Sequence, residues 1–329
     1  MNSNKLSVII PTYNSEKYIE NTVNSLKKSQ YPIHEIILID DSSNDNTISI
    51  LSDFNIKIYK QINHTNANRC RNIGARISTG DILVFLDSDV IIKPDTLLNL
   101  VNSFENSEAS AVVGLYAVNH SYKSIFSKYK NLWIRYSYLK SQPSIDWIFA
   151  AISGIKKDVF LQISGFDESL KTNQIDDIEL GKRISSLGLK IILNPKVEVI
   201  HQKEYSFSTF ISNEYNRSQG FVKIAGNINP IIKSIFYGIA NIYPSFVIST
   251  ILSNLVIISL IAYFINDINI GFFILFFLTY SIINIPFLRY FYKQYFLLDS
   301  IKAFFIQFID HFVCFWGSIK GFIKILKKL

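Results

Sequence analysis

Hydrophobic and polar positions alternate between two periods over the first two hundred residues. Leu6 to Pro11 is a short apolar run bounded by Pro11 and Asn14, which predicts a buried strand followed by a loop. Ile19, Val23 and Leu26 then fall at i, i+4 and i+7, one face of a helix over about residues 15 to 29. The cycle repeats. Ile36 to Asp40 is a second strand, Ile48 and Leu51 mark the helix behind it, and Ile56 to Tyr59 is a weaker third strand. A helix over Thr65 to Ile77 is stopped by Gly80, and Ile82 to Leu86 completes a β-α-β-α-β-α-β series. Such alternation predicts an α/β domain with a mostly parallel, right-handed sheet. Beyond it, Pro94 to Phe104 predicts a helix and Ala111 to Val118 a strand, whereas Asn119 to Ser144 is polar and aromatic with no readable period. Trp147 to Ile155 is apolar with small residues. Asp176-Asp177 opens a helix whose apolar face is Leu180, Ile184 and Leu187, stopped by Gly188, and Lys190 to Leu193 is a last strand leading to His201.

The pattern changes character near residue 205. Tyr243 to Ile265 is 23 residues without a charge and Ile268 to Leu288 is 21 more, each meeting the roughly 20-residue requirement for crossing a bilayer. Only Asn266 and Asp267 separate them, so the two spans form a hairpin with both flanks on one side. Lys196, Lys203, Arg217, Lys223 and Lys233 lie before it and Arg289, Lys293 and Lys302 after it, which by the positive-inside rule makes that side the cytoplasm. The final segment repeats Ile301, Phe305, Phe308, Phe312, Phe315, Ile319, Phe322 and Leu326 at spacings of four and three. Asp299, Lys302 and Asp310 interrupt it, which favours an in-plane amphipathic helix over a third span, its basic end Lys324, Lys327 and Lys328 snorkelling to head groups.

Composition sharpens this reading. A net charge of +7 raises nucleic acid as a partner, but no basic run is interleaved with stacking aromatics, and the Lys and Arg residues gather around the apolar segments. An anionic membrane surface accounts for them better. Cys70 and Cys314 fit neither a disulfide framework nor a metal motif and are expected to be ordinary thiols in a reducing compartment. Met1 to Leu6 is polar and enters a strand at once, so the soluble part is expected not to be secreted.

The candidate chemistry lies where buried strands end. Five apolar residues run into Asp87-Ser88-Asp89, and the second strand ends in Asp40-Asp41-Ser42-Ser43. At the carboxyl ends of parallel strands, such residues enter the crevice where open α/β sheets bind ligands. Alone, a D-x-D pair equally suits a solvated loop or a helix cap.

Four motifs in order carry a resemblance: Ser7-Val8-Ile9-Ile10-Pro11-Thr12-Tyr13-Asn14, Ile39-Asp40-Asp41-Ser42-Ser43, Arg71-Asn72-Ile73-Gly74 and Asp87-Ser88-Asp89. The series resembles that of family 2 glycosyltransferases, in particular membrane-anchored enzymes of bacterial or archaeal cell-surface glycans, over roughly residues 5 to 205. The resemblance implies a GT-A, Rossmann-like fold, a nucleotide-diphosphate sugar donor and inversion at the anomeric carbon. A diphosphate entering a crevice calls for a divalent cation, and carboxylates suit Mg²⁺ or Mn²⁺. Asp89 is the first choice of ligand, with Asp87 facing the ribose or sugar. Asp41 resembles the family's base-reading carboxylate, Pro11 and Tyr13 the wall of the nucleotide pocket, and Arg71 a diphosphate or base contact. Transfer to a hydroxyl needs a base opposite the leaving group. Asp177 matches the second member of the family's Glu-Asp pair, and Asp176 stands where the Glu would be, one methylene shorter. His201 resembles the histidine that completes the metal shell in some relatives.

Each residue has a plainer role open to it. Asp89 and Asp41 could cap the helices that follow, Arg71 could form a surface ion pair, Asp176 and Asp177 could answer a helix dipole, and His201 could be structural. The Gln-x-x-Arg-Trp element of processive synthases is missing from Asn213 to Gly220, which contains no Trp. The expectation is therefore a catalytic domain over 1–205, an interfacial segment over 206–238, two transmembrane helices over 239–290 and an amphipathic basic helix over 291–329. Its expected activity is transfer of one sugar to a lipid-linked or glycan acceptor at the cytoplasmic membrane face. The alternatives are a polyprenyl-phosphate sugar synthase and a non-catalytic membrane scaffold.

Overall fold

The structure is a computed structural model that describes residues 4–54, 56–120, 122–140, 144–170, 175–225, 242–266 and 269–327. It divides into two compact units, Met1–Ser121 with Tyr138–Lys203, and Tyr122–Ser137 with Glu204–Leu329.

The first unit is organised by one nine-stranded sheet. Its strands are β1 (Leu6–Thr12), β2 (Glu35–Asp40), β3 (Lys57–Lys60), β4 (Ile82–Leu86), β5 (Val90–Ile92), β6 (Ala111–Tyr116), β7 (Ser144–Ile145), β8 (Ile152–Lys156) and β9 (Ile191–His201). They run in the order β3-β2-β1-β4-β8-β6-β9-β5, with β7 paired to β9. The β3-β2-β1-β4 half is parallel. β8 reverses direction between β4 and β6, and β6 returns parallel to β9. β1 and β4 are buried at every residue, as parallel strands covered on both faces must be. Helix α1 (Ile19–Leu26) follows β1, α2 (Thr47–Leu51) follows β2 and α3 (Ala67–Ile77) follows β3. On α3, Cys70, Ile73 and Ile77 pack on Ile37 and Ile39 of β2, so the thiol is core.

Three features depart from the sequence pattern. The unreadable stretch contains a helix, α5 (Ile125–Leu139), lying after α4 (Thr96–Glu105). Its polar Ser127, Lys130 and Asn131 are buried beside Tyr129 and Leu132, which erases the amphipathic period. The last strand does not stop at Leu193 but runs to His201, absorbing Asn194-Pro195-Lys196 through an irregular register between Val113 and Leu115 of β6. β5 is too short at three residues to register as a period.

Beyond α6 (Lys157–Gln162), helix α7 (Asp176–Ser186) carries the acidic pair in its first turn. Gly181 sets how closely it docks: a Cβ there would lie 2.3 Å from the Trp147 Cα and 2.8 Å from the Asp146 carbonyl oxygen. Because those atoms are backbone, Gly181→Ala is expected to cost about 1–3 kcal/mol. A thermal unfolding midpoint several degrees below wild type checks this.

The second unit contains α8 (Phe207–Ala225), α9 (Pro244–Asn266) and α10 (Gly271–Leu326) with the first part of α5. Among the described residues, α9 and α10 are long and apolar enough to cross a membrane by length and composition. Asp267 and Ile268 of the expected connection, Lys328, and residues 226–238 of the expected interfacial segment, Lys233 included, lie outside the described residues. α10 is two helices meeting at a kink at Phe296, whose backbone is non-helical at φ 62° and ψ −173°, so the segment expected as a separate helix at 291–329 begins its own helix just beyond that residue.

The far half of α10 is amphipathic in an inverted sense. Its buried seam is Ser300, Ala303, Ile306, Gln307, Asp310, His311, Cys314, Gly317 and Gly321, while Ile301, Phe305, Trp316, Ile323 and Leu326 are exposed. The interior is correspondingly polar. Tyr129 donates to Asp310 at 2.7 Å, Lys130 and Arg217 both pair with buried Glu214, and Gln307 donates to Asn284, which in turn donates to Ser249. Glu214, Asp310 and Cys314 lie close enough to share an ion. However, Glu214 is already neutralised by Lys130 and Arg217, so the cluster is a satisfied ion-pair network.

Candidate functional site

The site is assembled from the carboxyl ends of β1, β2 and β4. Parallel pairing sets Thr12 beside Asp40 and Ile9 beside Phe85, so the residues after each strand emerge on one edge of the sheet. Asp40 is consumed locally, accepting from the Ser43 amide and hydroxyl. That turn places Ser42 in the left-handed region at φ 69°, and Asn14 bridges to it by donating to Ser43 Oγ and accepting from the Asn44 amide. Asp41 is thereby left facing the next loop. Its Oδ1 accepts from both the amide and the hydroxyl of Thr65, at 2.8 and 2.7 Å, and its Oδ2 lies 3.0 Å from His64 Nδ1. The His64 ring stacks on Tyr13 with centroids 4.1 Å apart. Pro11 is buried in β1, Tyr13 is exposed at the lip, and Asp41 is buried below it. Burial, with the Asp41 charge beside it, pushes the Cys70 thiol up to about 12 and leaves it unreactive.

The Asp87-Ser88-Asp89 turn is pinned on three sides. Ser88 Oγ is 2.8 Å from Ser15 Oγ, its carbonyl accepts from Thr22 Oγ1, and the Asp89 carbonyl accepts from the Gln202 backbone N–H. Antiparallel pairing of Val90 with His201 carries the histidine to Asp89, where Nε2 and Oδ2 are 3.5 Å apart. The His201 ring stacks on Tyr116. Burial works against ionisation of Asp89, but the hydrogen bond and charge of His201, with Lys203, outweigh it and hold the carboxyl below its ordinary range. An ionised carboxylate and an imidazole nitrogen at the outer limit of hydrogen-bond distance are a donor pair that suits a hard divalent cation. The donor set therefore fits Mn²⁺ or Mg²⁺, which Asp89 and His201 would hold.

Arg71 is buried and forked between two carboxylates, Nη2 to Asp87 at 2.9 Å and Nη1 to Asp176 at 3.2 Å, and so is not a surface ion pair. Asp176 is buried against this guanidinium. Burial raises both the Asp87 and the Asp176 carboxyl against the pull of Arg71. Asp177 is less enclosed. It accepts from the Ile178 amide, and burial, reinforced by the Asp176 charge, pushes it up to about 7.

The hydrogen bonds made by Asn72 and its neighbours escape sequence reasoning. Asn72 accepts from the Phe166 amide and donates to the Phe166 carbonyl and to Glu168, while Asn68 and Asn66 donate to the carbonyls of Asp167 and Glu168. The first turns of α3 and its N-cap thus hold residues 166–168. His64 and Thr65 lie in a polar stretch without periodicity; the only signal available was their position just ahead of the Arg71-Asn72-Ile73-Gly74 motif.

Comparison with known proteins follows the same outline. Residues 7–160 match the model for glycosyl transferase family 2. The chain is 32% identical over 119 residues to glycosyltransferase GlyG of Streptococcus pneumoniae, covering 35% of this chain and 40% of that protein. It is 26% identical over 217 residues to the O-antigen chain rhamnosyltransferase RfbN of Salmonella typhimurium, covering 61% and 68%. The chain spans 18% to 40% of the length of the first three curated relatives it matches. Among solved structures, the mannosyltransferase PcManGT from Pyrobaculum calidifontis, in complex with GDP-Man and Mn²⁺, superposes with a TM-score of 0.63 at 19% identity. That match covers 93% of this chain and 88% of the other, and it establishes a shared fold.

Proposed function

The chain carries a glycosyl transferase family 2 domain over residues 7–160 and belongs to that family, and from this premise we propose that it moves a single sugar, with inversion, from a nucleotide-diphosphate donor to a hydroxyl of a lipid-linked acceptor. The observation that carries the reading is the Arg71 fork. It ties Asp87, on the donor side of the crevice, to Asp176, the neighbour of Asp177, so that a donor carboxylate and a base belong to one electrostatic unit.

The roles follow from the chemistry of each group. Tyr13 and Pro11 flank the base, which Asp41 reads. Asp89 and His201 would hold Mn²⁺ or Mg²⁺, which would supply charge neutralisation to the departing nucleoside diphosphate. Asp87 faces the sugar or ribose while keeping its second oxygen clear of Arg71. Asp177 takes the proton of the acceptor hydroxyl as the oxygen attacks from the face opposite the nucleotide, and that direction of attack inverts the anomeric carbon. Asp176 acts as a positioning residue through Arg71.

The second unit serves as the anchor, with the catalytic domain on the cytoplasmic side. Large apolar side chains outside and a hydrogen-bonded polar interior suit a lipid surround, where internal polar groups must be satisfied within the protein. An anchored enzyme meets a lipid-linked acceptor by search in two dimensions. Topology is open to thiol labelling, since Cys70 and Cys314 are both buried. In intact cells, Asn269→Cys between α9 and α10 is expected to react with an impermeant maleimide, and Lys196→Cys only after permeabilisation. The reverse pattern would invert the proposed orientation.

Transfer itself is tested with a sugar-labelled donor, the detergent-solubilised protein and a lipid extract of the native membrane. Label is expected to pass into the organic phase with the anomeric configuration opposite to that of the donor. Release of free sugar alone, or a product of retained configuration, would overturn the proposal.

A further inference from the structure

Asp89 and His201 stand on two separate pieces of chain, the turn after β4 and the end of β9. Between them lies β5, which ends the sheet and pairs with β9 through Val90, Ile91 and Ile92. So short a pairing leaves the turn free to shift unless another element holds it. That element is α1. Its apolar face is Ile19, Val23 and Leu26, yet Thr22 and Ser25 are buried as well. This second, polar stripe is spent on the chain that carries the carboxylate. Thr22 Oγ1 donates to the Ser88 carbonyl at 2.9 Å, and Ser25 Oγ accepts from the Ile92 backbone N–H at 3.1 Å.

Gln202, the residue after His201, completes the arrangement. Its backbone N–H donates to the Asp89 carbonyl at 2.8 Å. Its side-chain Nε2 donates to the Tyr18 carbonyl at 3.3 Å and to Thr22 Oγ1 at 3.2 Å, while its Oε1 accepts from Asn21 Nδ2 at 3.1 Å. A carbonyl can only accept, so the Tyr18 contact fixes which end of the amide faces the helix, and nitrogen and oxygen are then both engaged. Resting on the reading of Asp89 and His201 as metal ligands, we infer that Gln202 is a positioning residue for the cation site. Anchored on α1, it ties the Asp89 backbone and the strand end bearing His201 into one frame, which sets the separation at which the two ligand side chains meet the ion. Thr22 takes part by holding the Ser88 carbonyl and the Gln202 amide with one hydroxyl. Neither residue touches the ion. Groups that orient metal ligands in this way set the affinity of the site, and losing one costs about 10–100-fold.

Mn²⁺ binding to the detergent-solubilised full chain, read from the loss of the free-ion electron paramagnetic resonance signal, tests this, without nucleotide and with UDP, dTDP or GDP. Gln202→Leu removes the side chain's hydrogen bonds and keeps much of its bulk, and it is expected to raise the Mn²⁺ dissociation constant about 10–100-fold. Asn21→Ala, at an exposed helical position where alanine is well tolerated, frees Oε1 alone. It is expected to raise the constant less, and to add nothing when combined with Gln202→Leu, because the two act through one network. A merely structural role for Gln202 would lower the thermal midpoint and leave the Mn²⁺ affinity of the folded variant at the wild-type value. That result would overturn the inference while the metal site stood. Absence of Mn²⁺ binding by the wild type under every condition, or binding unaltered in Asp89→Asn, would overturn the metal-site reading, and the role of Gln202 with it.

Discussion

Asp177→Asn is expected to lower sugar transfer by about 10²–10⁴-fold while leaving nucleotide binding unchanged, because in the proposed mechanism it removes the group that accepts the acceptor's proton and nothing that touches the donor. The pH profile of the wild type is tied to the same group. Burial and the Asp176 charge push Asp177 up to about 7, so the fraction in the basic form, and with it the rate, rises through pH 7 and levels off above it. The stability linkage runs the other way. A carboxyl raised from 3.8 to about 7 contributes stability that is fully present below 3.8 and lost as pH rises through 7. At pH 8 the ionised side chain is therefore a liability to the apo fold. Asp177→Asn should raise the thermal midpoint most at pH 8, progressively less toward pH 5 and little below 3.8, while activity is lost throughout. Stability gained where activity is lost separates a functional carboxylate from a structural one. If transfer persisted in the variant, the acceptor would be one already ionised, such as a phosphate, and the base assignment would be wrong.

Arg71→Ala is expected to have the largest structural effect in the catalytic domain. It would strand Asp87 and the fully buried Asp176 without their shared counter-charge, and breaking a buried pair from one side costs about 3 kcal/mol or more. For a domain of this size, that corresponds to a thermal midpoint lower by roughly ten degrees. Arg71→Lys retains a charge but has one ammonium where the guanidinium fork serves two carboxylates, so it should recover part of the stability and little of the activity. Raising the pH weakens both variants further, since more of the stranded carboxylates are then ionised. A thermal midpoint within a degree or so of wild type for Arg71→Ala would contradict the buried fork.

What the chain discloses in advance, and what it withholds, follows from the range of the interactions. The strand-end acids Asp41, Asp87 and Asp89 are legible because a buried parallel strand is a run of apolar residues and the acid that ends it stands out by contrast. The pairing of Asp89 with His201 and the fork of Arg71 onto Asp176 are settled by strand register and by packing between residues far apart in sequence, which no local period records. Asp176 illustrates the cost of this. Its place beside Asp177 carries no sign of a partner, and only the fold reveals that Arg71 holds it. His64 and Thr65 sit in a loop whose composition is that of any polar loop. In the second unit, α5 was unreadable because its polar side chains face inward, and the far half of α10 resembled an ordinary amphipathic helix whose buried and exposed faces are in fact exchanged. The membrane-compatible helices α9 and α10, by contrast, announce themselves by length alone.

The most direct test of metal-assisted transfer from a nucleotide sugar is nucleotide release by the detergent-solubilised protein with native membrane lipid. The donors are a panel of UDP-, dTDP- and GDP-sugars, supplied with Mn²⁺ or with chelator, and Asp89→Asn is assayed in parallel. Release from one donor class, abolished by chelator and absent in Asp89→Asn, is the result expected. Release that continues undiminished in chelator and in the variant, or silence across the whole panel in the presence of acceptor lipid, would contradict it.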